Sequence, residues 1–164
     1  MAVNIREFVS FNPYDLRGNK FPTGYISNTV ADLYMSIKVV DIIVERKGMI
    51  LLTKKGGHWI LPGDEIGPGE DELECLDKVV SKEMNDQVSS IFRKLDKTIK
   101  GRSPVRGGDV EVSIYVGDIG SKKMSDVKDC NAHWFSKESL RAIRLSNITK
   151  AVLEYYYSDS EIKF

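Results

Sequence analysis

Two cysteines, Cys75 and Cys130, are all that the chain contains. That is too few for a disulfide framework, and buried free thiols in a reducing compartment are the expectation. No run approaches the roughly 18 consecutive apolar residues of a membrane span, so none is expected. The opening Met1-Ala-Val-Asn-Ile-Arg-Glu-Phe lacks a charged start followed by an apolar core, so no secretory signal is expected and the location is read as cytoplasmic. Net charge is also missing, since 24 Lys and Arg face 24 Asp and Glu. That balance removes the overall basic charge of a protein that grips nucleic acid by electrostatics. No internal repeat, low-complexity tract, Walker loop, GxGxxG or Gly-x-Ser-x-Gly is present. What remains, 164 residues of which 41% are hydrophobic and 29% charged, describes one globular domain able to fold without disulfide or metal.

Residues 1–36 read as an arm. Asn12-Pro13, Arg17-Gly18-Asn19, Phe21-Pro22 and Thr23-Gly24 break any period, yet Phe8, Phe11, Tyr14, Phe21, Tyr25 and Tyr34 give the segment something to bury. It is expected to pack on its own domain or to form a homodimer with a second copy.

From Ile37 onward the pattern sharpens. The β-branched run over 37–45, a turn at 46–48 and the apolar stretch 49–53 predict a hairpin. A short strand follows at 58–61, then a loop from Pro62 to Glu70. Asp71 with Glu74 three residues on forms a capping-box pattern, which opens a helix over about 71–85 with Leu73, Leu76, Val80 and Met84 inward. Residues 88–100 fit a helix or, in part, a strand. Further strands are predicted over 110–116 and 132–135, a brief helix over 137–143, and a last helix opened by Ser146 or Asn147. The order implies a one-domain sandwich of α/β or α+β class.

Between Asp64 and Asp77 stand seven carboxylates and no basic side chain. Such a run is either a solvated acidic face or is neutralised by a basic segment or a hard cation such as Mg²⁺. The loop and helix resemble the signature of the Nudix superfamily, G-x5-E-x7-R-E-U-x-E-E-x-G-U, where U is a bulky aliphatic. The strand ending in Lys54-Lys55, the approach Trp59-Ile-Leu-Pro-Gly and the later His133-Trp-Phe-Ser-Lys-Glu-Ser-Leu agree with it in order, over about residues 37–157. The resemblance implies an α/β/α sandwich with a mixed β-sheet over 37–164. It also implies a site for a nucleoside diphosphate derivative and Mg²⁺-dependent hydrolysis of a phosphoanhydride bond.

Residue by residue, Glu70 falls on the first glutamate and Asp64 on the first glycine. Lys78 stands for the arginine, Val79 for the next glutamate, Lys82 and Glu83 for the glutamate pair, and Asn85 for the final glycine. The resemblance implies that metal is held at 79, 82 and 83. These share one helix face at i, i+3 and i+4, and in the family they bring about −3 to the metal. Here Glu83 is the one carboxylate kept, so Mg²⁺ is expected to be held weakly and hydrolysis to be weak or lost. The other reading is a divergent hydrolase that uses Glu83 with outside carboxylates, for which Glu65, Glu70, Glu74 and Glu111 are the candidates. A protein-interaction module is the third. Glu83 and Glu70 are the catalytic candidates, and Gly63 and Gly69 are expected to shape the loop.

Downstream, Arg93, Lys94, Lys97, Lys100, Arg102 and Arg106 face the single acid Asp96. Residues 100–108 read as a flexible basic loop. Lys82, Arg102 and Arg106 are the candidate phosphate ligands. Base stacking needs aromatics among the cations and only Phe92 is near, so nucleic acid is not the expected partner. His58, His133, Trp59 and Trp134 are expected to be structural. The carboxylates around Cys75 should raise its thiol pKa.

Overall fold

The β-branched run that opens the domain becomes β1 (Ile37–Arg46), and a turn at Lys47 and Gly48, both at positive φ, returns it as β2 (Met49–Lys55). The computed structural model describes residues 36–84, 92–120, 123–124 and 131–158. Short strands β3 (His58–Ile60) and β4 (Gly63–Glu65) precede helix α1 (Glu72–Met84). β5 (Arg93–Lys94), β6 (Ile99–Ser103), β7 (Gly108–Gly117) and β8 (Ala132–Ser136) follow, then a 3₁₀ turn (Ser139–Arg141) and helix α2 (Asn147–Tyr156). Ile37–Phe164 form one compact unit. The arm expected over 1–36 lies, but for Ser36, outside the described residues, as does Cys130. Among the described residues no helix is long and apolar enough to cross a membrane.

β1 organises the sheet. It runs parallel to β7 from Ile37 to Val44, while its other edge is shared by two antiparallel partners. Val39–Asp41 pair with β4, and Glu45–Arg46 pair with the start of β2. β5 and β6 extend the β7 side, and β3 and β8 flank β2. A strand buried on both faces reads as a continuous apolar run, which is the pattern of β1. Val39 and Ile43 join the core under α2 with Val112, Ile114, Val152 and Leu153. Val40, Ile42 and Val44 join the core under α1 with Leu76, Val79, Val80 and Met84. The result is a mixed sheet between two helices, as the sequence implied.

Three local readings change. The helix expected at 137–143 is only a 3₁₀ turn, because residues 144–146 are taken by β3: Trp59 N donates to Arg144 O at 2.8 Å and Ser146 N to Trp59 O at 3.1 Å. Leu73 is 57% exposed, since the inner face of α1 runs through Glu72, Leu76, Val79 and Glu83. Residues 100–108, read as a flexible loop, are half strand β6, closed onto β7 by Arg106 N to Ser103 Oγ at 3.1 Å and Gly107 N to Ser103 O at 3.0 Å. The described part of 88–100 forms β5, the start of β6 and the link between them.

Ser146 is the N-cap of α2. Its buried hydroxyl accepts from Thr149 N at 3.1 Å, and Thr149 Oγ1 in turn accepts from Leu61 N at 3.3 Å. The cap therefore also fixes the strand leaving β3. Ser146→Ala is expected to lower stability by about 1–2 kcal/mol, and Ser146→Thr to keep most of it, measured by urea unfolding.

Candidate functional site

The loop before α1 is closed by its own side chains. Glu70 Oε2 accepts from Gly67 N at 2.8 Å, and Lys78, two turns along α1, pairs with the same carboxylate. Those two bonds, Lys78 first, hold the Glu70 carboxyl below its ordinary range. The capping box is complete: Glu74 N donates to Asp71 Oδ1 at 2.8 Å and Asp71 N to Glu74 Oε2 at 3.1 Å. Gly69 sits at φ +74° with open space around it, where a side chain would strain the backbone. Gly63 is needed for a different reason, because a Cβ there would lie 2.2 Å from Asp41 Oδ1 and 2.3 Å from Val40 O.

On α1 the positions 79, 82 and 83 do not present one polar face. Val79 is buried in the core under the helix, Lys82 is exposed, and Glu83 is buried with its carboxylate turned to the end of β2. There Lys55 Nζ donates to Glu83 Oε1 at 3.0 Å. Burial pushes the Glu83 carboxyl up, Lys55 pulls it down, and Asp64 and Lys82 add smaller opposed effects. Glu83 Oε2 is buried and has no hydrogen-bond partner among the described residues.

Asp41 lies in the middle of β1, on the α2 side, and is 5% exposed. Its carboxyl is pushed up to about 7, mainly by burial, then lowered by Arg106, raised by Glu83 and lowered by Lys55. Arg106 projects from the β6–β7 turn and folds back over the domain, leaving 12% of its side chain exposed, with Nη1 3.8 Å from Asp64 Oδ1. Asp41, Asp64, Glu83, Lys55 and Arg106 thus form one electrostatic group, contributed by β1, β4, α1, β2 and the β6–β7 turn.

The other candidate residues are placed elsewhere. Glu65 is exposed, Glu74 belongs to the cap, and Glu111 pairs with Lys38 at 2.6 Å. Glu72 accepts from Lys94 at 2.7 Å, Ser113 at 2.7 Å and the Tyr115 hydroxyl. Burial opposes its ionisation, but those donors together hold Glu72 below its ordinary range. Two of the seven carboxylates of the acidic segment thus meet cations of the basic one, Glu72 with Lys94 and Asp64 with Arg106, and a third, Glu70, pairs with Lys78. Cys75 is buried and its thiol is pushed up to about 11, by burial first and then by Glu70 and Asp64. Trp59 packs edge-on against Phe135 at 4.7 Å, and Trp134 Nε1 donates to Met124 O at 2.8 Å. His58 Nδ1 lies 3.1 Å from Gly56 O.

Two cavities share Ser103, and the smaller of them reaches the charged group through Asp41 and Arg106. An open cleft of about 540 Å³ is lined by His58, Arg102, Pro104, Leu145 and Asn147. Behind it a cavity of about 20 Å³, the size of one water molecule, is lined by Asp41, Arg106, Ser146 and Thr149 among apolar residues. Arg102 is exposed at the cleft, and its carbonyl accepts from Asn147 Nδ2 at 2.8 Å. Of the candidate phosphate ligands, Arg102 and Arg106 share this region and Lys82 lies on the exposed side of α1. Sequence reasoning missed Asp41 and the role of Lys55. The available signal for Asp41 was a lone carboxylate inside an otherwise apolar, doubly buried strand.

No family model matches the sequence, and no curated protein matches it. Solved structures do. The fold is similar to a NUDIX hydrolase from Nitrosomonas europaea (TM-score 0.59, 17% identity, covering 79% of this chain and 94% of that one). It is similar to the C. elegans Ap4A hydrolase (TM-score 0.55, 20% identity, covering 76% and 98%). It is similar, too, to the E. coli dihydroneopterin triphosphate pyrophosphohydrolase (TM-score 0.58, 9% identity, covering 75% and 96%).

Proposed function

We propose that this chain, which has the Nudix fold, binds a nucleoside diphosphate derivative and hydrolyses phosphoanhydride bonds weakly or not at all. One observation carries the second half of that reading. Of the three helix positions that would present carboxylates to a metal, Val79 is in the core, Lys82 is a cation in solvent, and Glu83 is held by Lys55 at 3.0 Å.

The ligand class is supported by the cleft. About 540 Å³ is within the roughly 300–1,000 Å³ of small-molecule sites. Arg102 at its wall carries the guanidinium fork that pairs with phosphate oxygens. Similar structures are named for Ap4A and for dihydroneopterin triphosphate. In this reading Gly63, Gly69 and Glu70 shape the loop, and residues 1–36 are an arm that packs on the domain or on a second copy of the chain.

The test is calorimetric titration of ADP-ribose into the full chain, in EDTA and in Mg²⁺, with nucleotide release followed in parallel. Binding without turnover is expected, and Arg102→Ala should weaken it about tenfold. No binding at millimolar ligand in either buffer overturns the reading. Turnover abolished by Glu83→Gln replaces it with a divergent hydrolase. The buried, unpartnered Oε2 of Glu83, with Asp41 and Asp64 in electrostatic range, is the observation that favours that second reading.

A further inference from the structure

The Mg²⁺ that the family resemblance implies does not fit the residues present. Among the described residues no three His, Cys, Asp or Glu side chains are grouped to hold a metal. Hard divalent cations need several oxygen ligands free to turn toward them. The carboxylate oxygens nearest to hand are already engaged: Glu83 Oε1 accepts from Lys55 at 3.0 Å, leaving only the buried Oε2 without a partner, and Asp64 Oδ1 accepts from Glu65 N at 2.9 Å and lies 3.8 Å from Arg106.

We propose that Lys55 and Arg106 are the resident cations of this site and take the place of a divalent metal. Both come from elements other than α1. Lys55 ends β2 and reaches the last turn of α1, and Arg106 leaves the β6–β7 turn and returns to β4. Arg106 is a residue of a hairpin turn, where a guanidinium ordinarily extends into water, yet 12% of its side chain is exposed. The arrangement therefore uses it as an internal charge. A buried carboxylate must be paired or coordinate a metal, and for Glu83 the partner, Lys55, is covalently part of the chain. A cation of this kind cannot be chelated or exchanged, so the charge state around Glu83 and Asp64 is independent of metal supply. This rests on the ligand reading above only for the identity of what enters the cleft.

The test is titration of Mn²⁺ into the full chain by calorimetry, with the melting temperature recorded in Mg²⁺ and in EDTA. For the native sequence we expect no heat of binding at millimolar Mn²⁺ and a melting temperature indifferent to either additive. Lys55→Gln frees Glu83, and Arg106→Gln frees Asp64. Each variant should gain Mn²⁺ affinity by about tenfold or more. Should Lys55→Gln fail to fold, Arg106→Gln and the native chain still decide the matter. Mn²⁺ binding by the native chain that Glu83→Gln abolishes overturns the proposal, and so does a folded Arg106→Gln chain with no gain. Neither result bears on whether ADP-ribose binds, so the two failures are separable.

Discussion

Gly63→Ala is expected to lose about 3 kcal/mol or more of folding stability, a large loss for one methyl group. The new Cβ would meet Asp41 Oδ1 at 2.2 Å, Val40 O at 2.3 Å and Asp41 Cα at 3.1 Å. The carboxylate oxygen can rotate away, but the other two atoms are backbone of β1. That strand is held along Ile37–Val44 by its ladder with β7, so it cannot retreat without breaking central hydrogen bonds. The alternative is for β4 to move out, which opens the contact between Pro62 O and Ile42 N, now 2.8 Å. Gly69→Ala is the control. There the obstacle is only a φ of +74° in open space, worth about 1–2 kcal/mol. Equilibrium urea unfolding of both variants separates the two causes. A loss at Gly63→Ala no larger than that at Gly69→Ala would show that β4 yields cheaply.

Asp41→Asn is expected to stabilise the protein, and only at neutral to alkaline pH. Burial pushes the carboxyl up to about 7 in the folded chain, from an ordinary 3.8. Between those limits the folded state holds more protons than the unfolded one, so stability falls as pH rises and the penalty is complete above about 7. Asparagine keeps the shape and removes the charge. The gain should be about 2–4 kcal/mol at pH 8 and near zero at pH 4. Burial is the largest cause and Glu83 adds to it, while Arg106 and Lys55 act against it. Urea midpoints at the two pH values measure the difference. Destabilisation at pH 8 would mean that Asp41 is ionised and that Arg106 more than offsets its burial.

The elements that were legible in the sequence are those whose stability is local. The hairpin of β1 and β2, the capping box at Asp71 and Glu74 and the Ser146 cap each follow from a few neighbouring residues. Long-range contacts decided the rest. The helix expected over 137–143 is cut short where residues 144–146 bridge to Trp59, and Leu73 yields the inner face of α1 to Glu72, which Ser113 and Tyr115 draw toward β7. The fold resembled by the loop and helix was legible because glycines, prolines and caps occur there at fixed offsets. The charged group was not, since Lys55 and Glu83 are 28 residues apart and meet only once β2 and α1 pack. Asp41 was visible as a letter out of place in an apolar strand. Its partners, Arg106 above all, come from a hairpin that sequence alone left as a loose loop.

The parallel ladder of β1 on β7 brings together residues such as Lys38 and Glu111, which are 73 positions apart. Closing so long a segment spends chain entropy before any pairing returns it, and such topologies form late and slowly. Asp41 is paired within that ladder, and Arg106 projects from the turn that leads into β7. The charged group therefore cannot exist in a chain that has formed only its local hairpins and α1. It appears when the central ladder closes, so a partly folded chain carries no rudimentary version of the site to bind the wrong molecule.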